Sequence, residues 1–214
     1  MKLRKLLKPQ VLFCYFVVLL SASTSLHVYA DKGNPKAGQE KSQVCQGCHG
    51  TDGNSYGPEW PNLASQHISY ITKQIKNFQK GARTNETMQG MVAGVSDQDA
   101  KDIAAYFSSQ QVKPSTLKVD SETIKTGRKI YKGGNLYSGV PACAGCHGPN
   151  GVGNGPAAFP YLAGQVSTYL IKTLKDFRSG ARANDPNEIM RNIAAKLTDN
   201  EIVAVSKYIS TLQK

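Results

Sequence analysis

The stretch CQGCHG runs from Cys45 to Gly50, and nearly the same letters, CAGCHG, return from Cys143 to Gly148. Each copy sets two cysteines three residues apart and places a histidine directly after the second. On a helix, residues three apart lie on one turn, so both thiols of a copy can reach one edge of a bound group. The chain has five cysteines. Cys14 stands alone near the N-terminus, and Cys45, Cys48, Cys143 and Cys146 all belong to the two motifs. None is left over for a structural disulfide.

Three chemistries use such pairs. Two Cys-x-x-Cys pairs can make one zinc site, but zinc ribbons set their pairs roughly 15–20 residues apart. Here 98 positions separate them. A thiol–disulfide motif opens a helix after a strand in a βαβ pattern, and no strand pattern is visible. The third chemistry is covalent attachment of c-type haem, with the adjacent histidine as an iron ligand. Duplication of the whole motif in an exported chain favours haem, one group per copy.

The repetition extends well beyond the motifs. WPNLASQHISYITKQIKNFQKGARTN at Trp60–Asn85 pairs with FPYLAGQVSTYLIKTLKDFRSGARAN at Phe159–Asn184 at an offset of 99. VSDQD at Val95–Asp99 pairs with LTDNE at Leu197–Glu201 at an offset of 102. A period near a hundred residues is a domain duplication rather than a solenoid. The same offset of 102 sets Met88 on Met190 and Met91 on Ile193. Two alike sites need a ligand in both halves, so Met88 and Met190 are the candidate partners of His49 and His147 on iron. Met91 reads as a core filler.

Residues 1–30 read as a cleavable signal peptide. Lys2, Arg4, Lys5 and Lys8 precede an apolar run from Val11 to Leu20, and Val28-Tyr29-Ala30 supplies a small residue at a cleavage site. The run falls short of the ~20 residues a membrane span needs. Removing these four basic residues takes the formal charge from +11 to +7. Lysines and carboxylates are interspersed along the remaining chain, so no nucleic-acid stripe is expected. A 40% hydrophobic and 19% charged composition excludes a disordered chain. The 214 residues suit two small domains. SSQQVKPSTLKVDS reads as a polar linker with a boundary near Pro114, giving domains 31–114 and 115–214.

The elements are expected to be helices. PKAGQEKSQV and SETIKTGRKIYKGG each lead into a motif, and a Gly/Asn/Pro-rich loop follows each one. Ile68, Ile71, Ile75 and Phe78 make one apolar stripe, echoed by Leu170, Leu174 and Phe177, with Gly81 and Gly180 as stops. Capping boxes at Ser96–Asp99 and Thr198–Glu201 start two last helices. Ile103, Tyr106 and Phe107 face inward from the first, and Ile202, Val205, Tyr208 and Ile209 from the second.

With these residues in place, each half resembles a class I c-type cytochrome, and the tandem pair resembles the dihaem cytochrome c4 family. VCQGCHGTDGNS, SDQDAKDIAAYFSSQ, GGNLYSGVPACAGCHGPNGVGN and IMRNIAAKLTDNEI carry the likeness, which spans Asp31–Lys214. The resemblance implies an all-α fold of two tandem class I cytochrome c-like helical domains, each wrapped around one covalent haem c. It implies Cys45, Cys48, Cys143 and Cys146 as thioether anchors. His49 with Met88, and His147 with Met190, are implied as axial ligands. Pro61 and Pro160 are implied as the carbonyls that hold the two histidines. Trp60 departs from the phenylalanine common before the first such proline.

The function so implied is a periplasmic electron carrier, not an enzyme. It would take electrons from a quinol-oxidising complex or dehydrogenase and pass them to a membrane haem–copper terminal oxidase, with peripheral membrane association left open. Two alternatives are a cytochrome subunit of a dehydrogenase complex and a dihaem peroxidase. Arg83 and Arg182 are open between propionate pairing and surface ion pairing. His67, opposite Val166 in the repeat, reads as a surface histidine.

Overall fold

A computed structural model describes residues 33–213; the expected signal peptide at 1–30 lies outside them. Among the described residues the protein is helical, with no strand and only two isolated bridges, Asn135 to Val140 and Asn154 to Phe159. The first half contains α1 (Pro35–Lys41), α2 (Gln43–His49), α3 (Ile68–Gln79), α4 (Glu86–Val92) and α5 (Asp97–Ser109). The second contains α6 (Ser121–Gly133), α7 (Ala144–His147), α8 (Ser167–Ser179), a 3-10 turn at Pro186–Glu188, α9 (Ile189–Ala194) and α10 (Asp199–Thr211).

PKAGQEKSQV does not form one helix. The chain breaks at the fully buried Ser42, whose hydroxyl donates to the Gln39 carbonyl at 3.0 Å and accepts from the Gln46 side chain at 3.0 Å. A serine that bonds locally in this way competes with the helical ladder. The corresponding segment of the second half does stay whole as α6, which stops at Gly134 with φ +71°.

Each half closes by crossing its first helix over its last, α1 on α5 and α6 on α10. Both crossings depend on a glycine. A Cβ on Gly38 would run into the Asp102 carbonyl, and one on Gly127 into the Ala204 carbonyl. Both capping boxes form, at the starts of α5 and α10. The expected inward residues of those helices are all buried, with Phe107 and Ile202 at 0% exposure. Each such side chain contributes about 1.5–3 kcal/mol of burial free energy. Ile71, Ile75 and Phe78 join the first core, and Leu170 the second.

The halves meet through their own repeated residues. The Gln66 amide donates to the Tyr161 carbonyl at 2.9 Å and accepts from the Tyr161 amide at 2.9 Å. Reciprocally, Gln165 donates to the Asn62 carbonyl at 2.9 Å and accepts from the Asn62 amide at 2.7 Å. Gln66 and Gln165 share the offset of 99, as do Asn62 and Tyr161. The contact is therefore an approximate twofold within one chain.

Candidate functional site

Two sites are built on the two motif helices. In the first half, α2 carries Cys45, Cys48 and His49 on two turns and ends at Gly50, whose φ of +82° suits only glycine. Cys45 is half-buried against the first core, and Cys48 is half-buried too. His49 is buried, and its Nδ1 lies 2.8 Å from the Pro61 carbonyl. In the second half, Cys143 caps α7, which carries Cys146 and His147 and ends at Gly148. His147 Nδ1 lies 3.2 Å from the Pro160 carbonyl. The loop after each motif is tied down by a tyrosine. Tyr106 donates to the Thr51 carbonyl at 2.6 Å and Tyr131 to the Gly148 carbonyl at 2.6 Å.

The electrostatics suit neutral ligands. Burial lowers the pKa of both imidazoles, and the proline carbonyls oppose it only in part. A neutral imidazole that donates Nδ1–H to a carbonyl keeps its lone pair on Nε2, the tautomer a metal requires. All four thiols are free. Burial raises the Cys45 thiol and pushes Cys143 up to about 11, so at neutral pH they are thiols rather than thiolates. A zinc site shared by the two motifs does not fit, because they do not converge: among the described residues, no group of three or more His, Cys, Asp or Glu side chains could hold a metal ion. The donor set fits haem c at both places.

The methionines sit on the short helices α4 and α9. Met88 is half-buried and packs against the same first core as Cys45. Met190 is also half-buried but lies outside the set packed on the second core, where Ile193 takes part instead. Met91 is 49% exposed, so it is not the core filler expected. The Pro61 and Pro160 carbonyls stand beside His49 and His147.

Two expectations need correction. Arg83 and Arg182 are not surface ion pairs. Arg83 stacks on Phe78 at 4.7 Å and donates to the Tyr169 hydroxyl at 3.0 Å across the domain contact. Arg182 is 7% exposed, stacks on Phe177 at 4.5 Å and donates to the Tyr70 hydroxyl at 3.0 Å. Nor is His67 a free surface histidine: it is half-buried, with Nε2 2.8 Å from the Val152 carbonyl of the other domain. The interface roles of Gln66, Gln165, Tyr70 and Tyr169 went unread in the sequence. Their exact repetition at an offset of 99 was the available signal.

Comparison with known proteins agrees with this geometry. The cytochrome c family model matches residues 35–111 and 124–213. Cytochrome c4 of Azotobacter vinelandii is 47% identical over 190 residues, covering 84% of this chain and 90% of that protein. The crystal structure of reduced recombinant cytochrome c4 from Pseudomonas stutzeri superimposes with a TM-score of 0.80 at 48% identity, over 85% of this chain and 100% of that one. A thiosulfate dehydrogenase electron acceptor of Stutzerimonas stutzeri (strain A1501) is 34% identical over 194 residues, covering 89% of this chain and 87% of that protein.

Proposed function

Since this chain belongs to the cytochrome c4 family of electron-transfer proteins, we propose that it carries electrons in the periplasm. The donor is a quinol-oxidising complex or dehydrogenase, and the acceptor is a membrane terminal oxidase. Its two cytochrome c domains bind two covalent haem c groups, and it is not an enzyme. When bound, each haem supplies an iron that takes up and releases one electron.

The residues do the rest. Cys45 and Cys48 anchor the first group, and Cys143 and Cys146 the second. His49 and His147 would present Nε2 to the iron, held in register by the Pro61 and Pro160 carbonyls. Met88 and Met190 would supply thioether sulfur to it, which would leave neither site a position for substrate. Histidine–methionine ligation favours the reduced state relative to anionic ligands. The apolar cores act in the same sense by disfavouring charge. Fixed ligands and a packed surround keep reorganisation small. We divide the chain into its two domains near Pro114. Among the described residues no helix is long and apolar enough to cross a membrane.

The observation that carries this reading is the pairing of two like sites, each with a buried histidine locked by a proline carbonyl. A second reading, the fixed acceptor subunit of a dehydrogenase, is favoured by the 34% identity to a thiosulfate dehydrogenase electron acceptor. An optical redox titration of the exported protein, repeated under carbon monoxide, tests the carrier. Two low-spin haems indifferent to carbon monoxide are expected. A haem that binds carbon monoxide would overturn the closed-site assignment and reopen a dihaem peroxidase. Co-purification with a dehydrogenase would select the second reading.

A further inference from the structure

The approximate twofold fails around His67. His67 stands just ahead of α3, and its Nε2 lies 2.8 Å from the Val152 carbonyl. Two residues on, the Ser69 hydroxyl donates to the Gly155 carbonyl at 2.7 Å. Both acceptors belong to the segment that follows the second motif. That segment folds straight back on the motif, because the Gly153 amide donates to the His147 carbonyl at 2.8 Å. The His67 ring lies over Gly155, where a Cβ would come within 3.2 Å of Nδ1. The absence of a side chain at 155 is what lets the ring approach.

The second domain returns nothing equivalent. The offset of 99 sets Val166 opposite His67 and Thr168 opposite Ser69. Valine has no polar side-chain atom, and among the described residues Thr168 makes no hydrogen bond to the first motif's loop. That loop is held instead by the linker of its own chain segment. Asn54 donates to the Gln111 carbonyl at 3.0 Å, and Asp52 pairs with Lys113 at 2.7 Å. So one motif loop is fastened by the linker, and the other by the partner domain.

We propose that His67, assisted by Ser69, is a positioning residue through which the first domain sets the environment of the second haem site and makes the two sites unequal. The inference rests on haem occupying both motifs. Its physical basis is that a backbone segment held beside a ligating histidine sets solvent access and the surrounding hydrogen bonds, and both tune a metal's potential. Releasing the Val152 carbonyl lets the segment open and admits water beside His147. Water favours the more highly charged oxidised state, so the second haem becomes harder to reduce.

The test is His67→Val in the full-length holoprotein, which installs the residue that the repeat already carries at 166, with Ser69→Ala beside it. Covalent haem is counted first; fewer than two per chain would sink the proposed function itself. With two haems present, each potential is resolved by redox titration followed by haem-assigned NMR, and the Gly153 amide is followed by hydrogen exchange. The expected result is a second-haem potential that falls while the first stays put. Electron distribution between the haems should shift about three- to tenfold toward the first, the size of a net hydrogen bond. Gly153 should exchange faster, and Ser69→Ala should act in the same direction but less. An unchanged distribution would overturn the inference. So would an equal shift of both haems, which marks general loosening of the domain contact.

Discussion

Gln66 and Tyr161 hold each other by both edges of one side-chain amide. Nε2 donates to the tyrosine carbonyl, Oε1 accepts from its backbone amide, and each bond is 2.9 Å long. Gln66 is only 5% exposed, so water cannot replace either partner. Gln66→Ala leaves a buried backbone amide and carbonyl unsatisfied, at about 1–3 kcal/mol each. The expected outcome is a destabilised domain contact with each half still folded. Scanning calorimetry should split one transition into two, and a single unchanged transition would count against the contact as described.

Met190→Ala should open one iron and leave the other closed. The variant should show one haem that is high-spin and binds carbon monoxide, beside one that does neither. Met88→Ala should give the same spectrum from the other domain. Met91→Ala is the control, since Met91 is 49% exposed and has no partner in the repeat. Carbon monoxide binding in the Met91 variant, but not in the Met88 variant, would reverse the ligand assignment.

How much of this was legible depended on whether the determinant was local. The capping boxes at Ser96 and Thr198 and the buried faces of α5 and α10 follow from spacing alone, and all are present. The break at Ser42 was hidden because it needs a buried hydroxyl to choose the Gln39 carbonyl, and burial is a tertiary fact. The interface was half visible. Repetition marked Gln66, Tyr70 and Arg83 as a set, but only a second domain facing the first explains why Arg83 reaches Tyr169 and Arg182 reaches Tyr70. His67 was misread for the opposite reason. It has no repeat partner, and its role lies in breaking the symmetry that made the rest readable.

Gly38→Ala and Gly127→Ala should each destabilise their own domain. Alanine ordinarily favours a helix over glycine by about 1 kcal/mol. Here the added methyl meets backbone across the helix crossing, the Asp102 carbonyl in one case and the Ala204 carbonyl in the other. Separating the helices should cost about 1–3 kcal/mol. Gly133→Ala, with nothing within 4 Å of the added atom, is the matched control and should be neutral or mildly stabilising. Denaturant unfolding of the three variants decides it. Equal midpoints would mean that the crossings have room to spare.

Asp102 gives the first domain an acid sensitivity that α10 lacks at the matching place, where the offset of 102 puts Ala204. The residue is 3% exposed, and its carboxylate accepts from the Asn34 amide at 2.8 Å, Lys41 at 2.7 Å and Gln98 at 2.9 Å. Burial alone would raise its pKa, but these three donors outweigh burial and hold it below the usual carboxylate range. A folded pKa below the unfolded one means that the stabilisation is complete above the unfolded value, about 3.9. It is lost as pH falls through the folded value. At neutral pH Asp102→Ala should therefore cost about 1.5–3 kcal/mol, the range for hydrogen bonds to a charged group. The gap between wild type and variant should then narrow as the pH is taken below about 4. Urea unfolding across that range measures the gap directly. A gap independent of pH would show that Asp102 acts by packing rather than by charge.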